Sequence, residues 1–89
     1  MRLSGFKTQF RKDLKRIQKR GKDVTKLQAA MSKLIMEETL EARLKDHALI
    51  GSYAGRRECH IEPDWLLIYK LENDKVIFER TGTHSDLFD

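Results

Sequence analysis

The 89-residue sequence contains one cysteine, Cys59, which excludes an internal disulfide. No cysteine spacing suits a metal cluster, and no apolar run approaches the roughly 20 residues needed to span a bilayer. The stretch Met1-Arg2-Leu3-Ser4-Gly5-Phe6 lacks a secretory apolar core. Repeats, linkers and low-complexity tracts are also missing. These absences point to a cytosolic protein with one domain, residues 1–89, because dividing so short a chain would leave each part too small to fold unaided. A domain of this size buries only roughly 60–65% of its unfolded surface, so a stabilising partner is expected.

Charge is plentiful but uneven. The net charge is +4, yet residues 1–45 carry 13 Lys/Arg against 5 Asp/Glu, whereas residues 46–89 carry 5 against 9. The blocks Arg11-Lys12, Lys15-Arg16 and Lys19-Arg20-Gly21-Lys22 suit a polyanion, of which nucleic acid is the commonest in the cytosol. A solvated helix face is the plain alternative.

Phe6, Phe10, Leu14 and Ile17 line one face of a helix beginning near Lys7, with Gly21 as its stop, and Arg2 to Phe6 reads as a short edge strand before it. Asp23 can cap a second helix whose Val24, Leu27, Met31, Leu34 and Ile35 recur at helical spacing to about Glu38. The short link predicts antiparallel neighbours. Thr39 to Gly55 is irregular, and three strands follow: Arg56 to Glu62, Trp65 to Leu71, and Val76 to Thr83. The middle one is apolar on both faces, which predicts a central strand covered on both sides, with Asp86-Leu87-Phe88 as a candidate second cover.

All three histidines, His47, His60 and His84, fall in the second half. Strand alternation puts Glu58 and His60 on one face, opposite Arg57, Cys59 and Ile61. Asp64 stands at the turn leaving that strand, and Arg80 is in the third strand. A histidine pair supplies one proton acceptor and one donor near neutral pH, as RNA transesterification through the ribose 2′-hydroxyl requires. A cation on the phosphate oxygens completes the set, with Arg80, Arg56 and Arg57 as candidates. Isolated histidines are often structural, and three with an aspartate can also bind zinc. No histidine pair has the helical or short-hairpin spacing of common zinc sites, so no metal site is expected.

Several blocks keep a recognisable order: Lys45-Asp46-His47; Gly51-Ser52; Arg57-Glu58-Cys59-His60-Ile61-Glu62-Pro63-Asp64-Trp65-Leu66-Leu67-Ile68-Tyr69-Lys70; and Phe78-Glu79-Arg80-Thr81-Gly82-Thr83-His84-Ser85-Asp86-Leu87-Phe88. Together with the helix pair and its basic face they make the chain resemble the YafQ branch of the RelE/ParE toxins. The resemblance implies an α+β fold, two N-terminal antiparallel helices packed on a small antiparallel sheet, with an RNA site on the sheet's exposed side. It also implies cleavage of messenger RNA in the ribosomal A site, at adenine-rich lysine codons, without metal or cofactor.

Family function residues carry over to His47, His60, Asp64, His84 and Phe88. Glu58 stands at an acidic position where aspartate is familiar, and Tyr53 at one that accepts other aromatics, for packing or base stacking. In the roles this suggests, His84 is the general acid, Asp64 or His47 the base, and His60 orients the phosphate with Arg80. Phe88 stacks on a base or buttresses His84, and Glu58 and Arg57 give further support. Lys12, Lys15, Arg16 and Lys19 would hold ribosomal RNA. A DinJ-like antitoxin is the implied partner, contacting operator DNA on the toxin's behalf. A ParE-like topoisomerase poison and a simple RNA-binding domain are the competing readings.

Overall fold

The computed structural model describes residues 1–88. Strand β1 (Leu3–Phe6) leads into helix α1 (Thr8–Lys19), then α2 (Val24–Ile35). A segment of short 3-10 turns follows, containing the two-residue strand β2 (His47–Ala48). The chain then forms β3 (Arg57–Glu62), β4 (Trp65–Glu72) and β5 (Lys75–Gly82) and ends in the short helix α3 (His84–Phe88).

The helix ends follow the local chemistry. After the C-cap Arg20, Gly21 takes φ 78°, a left-handed conformation that costs glycine little. Asp23 accepts hydrogen bonds from the backbone N–H and the hydroxyl of Thr25 at the start of α2. That helix stops at Ile35, short of the expected Glu38, where Glu37 turns to a positive φ of 62°.

The five strands order as β1-β5-β4-β3-β2. The meander is antiparallel, as the sequence suggests, but β1 joins the outer side of β5 in parallel, so the sheet is mixed. A parallel neighbour follows from the connection: α1, α2 and the meander separate β1 from β5, leaving room for a crossover that no tight hairpin provides.

Strand β4 is central and Trp65 through Tyr69 are all buried. Its alternate residues feed two cores. Trp65, Leu67 and Tyr69 join Phe10, Ile17, Leu27, Leu34, Leu44, Cys59 and Phe78 under the helix pair. Leu66 and Ile68 point the other way, against Leu87, Leu49 and Tyr53. The C-terminal segment thus serves as the second cover through Leu87, and burial on both faces explains the continuous apolar run.

Candidate active site

The histidines converge on the sheet face turned away from the helix pair. His47 pairs in register with Glu58 across β2 and β3, and Glu58 pairs with Ile68 of β4, which pairs with Arg80 of β5. Directly opposed residues share a face, so this row carries His47, Glu58 and Arg80 across one surface. His60, two positions along β3 from Glu58, lies on that face as well.

The rings form a continuous arc. Centroid separations are 6.1 Å from His47 to His60, 5.9 Å from His60 to His84 and 6.2 Å from His84 to Phe88. Tyr53 then meets Phe88 edge-on at 5.4 Å. Phe88 remains 45% exposed, a large apolar ring left to solvent beside polar chemistry.

Each imidazole has a fixed orientation. His84 is held by Asp64, whose Oδ1 lies 2.9 Å from the backbone nitrogen and 2.6 Å from ring Nδ1. Those two contacts, the backbone one first, hold the Asp64 carboxyl below its ordinary range. Nδ1 of His47 faces the carbonyl of Lys45 at 2.7 Å, and Nδ1 of His60 faces that of Pro63 at 3.3 Å. A carbonyl only accepts, so Nδ1 is the N–H of both rings and Nε2 is left for other work.

Both Nε2 atoms aim at Oε2 of Glu58, at 3.2 Å from His47 and 3.5 Å from His60. Glu58 is only 5% exposed, and its Oε1 has no partner among the described residues. Ligand-type atoms of His47, Glu58 and His60 all lie within 4.8 Å of one another, a donor set that fits a divalent transition metal. Linear spacing concealed this, because register across β2 and β3 brings the groups together.

His84 is itself held by a reciprocal cap. Thr83 Oγ1 accepts from the Asp86 N–H at 3.1 Å, while the Asp86 carboxylate accepts from the Thr83 N–H at 2.9 Å. Arg20, at the C-cap of α1, grips the same carboxylate with two nitrogens, at 2.6 and 3.1 Å. That arginine, ahead of the Thr83 contacts, pulls the Asp86 carboxyl far below its usual range. Gly82 is required beneath this cap, since a Cβ there would lie 2.8 Å from Asp86 Oδ2.

Two sequence candidates are engaged by other carboxylates. Arg57 belongs to the opposite face, where its guanidinium lies 3.3 and 3.4 Å from the Asp46 carboxylate, which also accepts from Tyr69 Oη. Strand alternation separates it from the histidines, so it does not belong to the set. Arg56 is committed to Glu79 at 3.0 Å. Along α1, Lys12, Lys15 and Lys19 are exposed, but Arg16 is drawn inward to Asp13 at 3.0 Å.

The blocks that carry this geometry are shared with known proteins. A family described as "Bacterial toxin of type II toxin-antitoxin system, YafQ" matches residues 3–89. The chain belongs to the YafQ toxin family. The mRNA interferase toxin YafQ of Escherichia coli K12 is 51% identical over 84 residues, covering 93% of this chain and 91% of the relative. The crystal structure of the E. coli DinJ-YafQ complex contains a chain that superposes with a TM-score of 0.93 at 49% identity, covering all of both chains. A metal-bound toxin from Helicobacter pylori superposes with a TM-score of 0.92 at 37% identity, covering 99% of this chain and all of that one. The shared fold is therefore α+β, two N-terminal helices on a mixed five-stranded sheet.

Sequence reasoning misses Asp13 and Asp86, although Asp13 carries a signal. It falls between Phe10 and Ile17 on the inward stripe of α1, where an isolated carboxylate among cations needs an internal partner.

Proposed function

We propose that this chain is a ribosome-dependent messenger RNA endoribonuclease of a cytoplasmic type II toxin-antitoxin system. It would act in the ribosomal A site by metal-independent general acid–base transesterification. The observation carrying this reading is the His84–Asp64 pair at 2.6 Å, set in an arc of imidazoles on one open face.

Asp64 accepts the Nδ1–H of His84, which turns Nε2 outward as the donor to the departing 5′-oxygen. With its Oδ1 already bonded to His84, Asp64 is a poor base and serves to orient the acid. His47, in the neutral form that keeps only the Nδ1–H, removes the 2′-hydroxyl proton through Nε2, and the N–H so formed donates to Glu58. Glu58 steadies the positive charge His47 then acquires, and His60 and Arg80 bear on the phosphate. Phe88 offers a face for base stacking.

A divalent ion at this site would be held by His47, Glu58 and His60 and would supply positive charge toward a phosphate oxygen. The proton transfers need no such ion, because donor and acceptor are side chains already in place. An ion on Nε2 of His47 would also occupy the lone pair that accepts the proton.

The proposed partner is a DinJ-like antitoxin, by likeness to the E. coli complex, with operator DNA reached only through it. The exposed lysines of α1 would hold ribosomal RNA. Mapping message ends by primer extension on translating ribosomes tests the reading. Cuts within A-site codons that vanish in His84→Ala support it, whereas an intact message excludes it and favours the ParE-like or RNA-binding alternatives.

A further inference from the structure

The carboxylate of Asp13 sits where α1 crosses the outer edge of β5. Strand β1 pairs with β5 only as far as Phe6 opposite Phe78, and beyond that point Asp13 Oδ2 accepts from the Thr81 backbone N–H at 3.1 Å. The same group meets Gln9 Nε2 at 3.1 Å, Arg16 Nη2 at 3.0 Å, and Arg80 through both Nε at 2.7 Å and Nη2 at 3.3 Å. Its side chain is 0% exposed.

Capping one backbone N–H needs only a neutral acceptor. A carboxylate fully removed from water is costly unless its charge is answered, and here two guanidiniums answer it. Two cations on one anion leave a surplus positive charge. That surplus reaches the surface, because the Arg80 side chain is 22% exposed and that of Arg16 39%. Arg80 lies in register with Ile68 and Glu58, on the face that carries the histidines.

We propose that Asp13 is a positioning residue that fixes the Arg80 guanidinium for binding a backbone phosphate of the substrate RNA. The proposal rests on the reading of this chain as an RNA-cleaving enzyme in which Arg80 bears on phosphate. A free arginine samples many rotamers. The two-point bond through Nε and Nη2, to a carboxylate itself tied to Thr81 and Gln9, removes that freedom and sets the guanidinium beside the Tyr53 hydroxyl, with its exposed edge turned to an anion. Arg16 shares the carboxylate and keeps a buried Nε without a partner among the described residues, so it belongs to the same cationic patch.

The test is single-turnover cleavage on programmed ribosomes by Asp13→Asn, Arg80→Ala and the double variant, each with a thermal melt. Asp13→Asn should slow cleavage about tenfold or more at temperatures where it is folded, and the double variant should be no slower than Arg80→Ala. Wild-type cleavage by folded Asp13→Asn, or a loss that adds to that of Arg80→Ala, overturns the positioning role. Wild-type cleavage by Arg80→Ala instead overturns the reading beneath it. Should Asp13→Asn fail to fold, Arg80→Lys decides: it keeps the charge but loses the fork. Slow cleavage with a near-native melt supports the proposal, and wild-type cleavage by Arg80→Lys refutes it.

Discussion

A single oxygen of Asp64, Oδ1, receives both the backbone N–H and the ring Nδ1 of His84, at 2.9 and 2.6 Å. The double contact fixes the ring's position and its tautomer together. If His84 is the general acid, His84→Ala should slow single-turnover cleavage by about 10² to 10⁴. Asp64→Asn, which keeps an acceptor and loses the charge, should cost less. Because Asp64 acts through His84, it should have little further effect in a His84→Ala background. An independent loss in that background would instead make Asp64 the base.

The convergence of His47, Glu58 and His60 yields an opposite expectation for metals and activity. Zinc should bind, as read by calorimetry, and Glu58→Gln should weaken the binding by removing the charged ligand. Cleavage should fall as the site fills, because the ion takes the His47 nitrogen needed for proton transfer. Dialysis against a chelator should leave activity intact. Activity lost on chelation and restored by added metal would overturn the metal-independent mechanism.

The sequence is most informative where the physics is local. Asp23 as a cap, Gly21 as a stop and the two-sided burial of Trp65 through Tyr69 are consequences of neighbouring residues, and each has the expected place. Long-range pairing is harder to read. The parallel docking of β1 on β5 and the alignment of His47 with Glu58 depend on register between distant segments, which no periodicity encodes. Arg57 shows the value of a simple rule: alternation along β3 already places it across the sheet from His60, and its bond to Asp46 accords with that rule.

Asp86 should make stability depend on acid. Its carboxyl is held well below the ordinary range, chiefly by Arg20, so the folded state binds this proton less readily than the unfolded chain. The resulting stabilisation is fully present above the unfolded value of about 3.9 and is lost as pH falls through the lower folded value. Asp86→Asn should therefore melt lower than wild type at pH 7, by about 1–2 kcal/mol through the weakened cap. The gap between the two should narrow as pH drops below about 4. Parallel melting curves down to pH 2 would show that Arg20 and Asp86 contribute no net coupling.

The basic helix can be probed without disturbing its packing. Lys12, Lys15 and Lys19 are exposed, whereas Arg16 is tied to buried Asp13, so charge reversal is clean only at the three lysines. Substituting those three with glutamate should change stability by no more than about 0.5 kcal/mol per site. Ribosome co-sedimentation should weaken sharply, and the dependence of log affinity on log salt should flatten by roughly one unit for each phosphate no longer neutralised. Reversing Arg16 as well would also leave Asp13 with one fewer cation, and the melt would drop for a reason unrelated to RNA. Undiminished binding by the triple lysine variant would place the ribosome-binding surface elsewhere on the protein, because neutralised phosphates dominate such affinity.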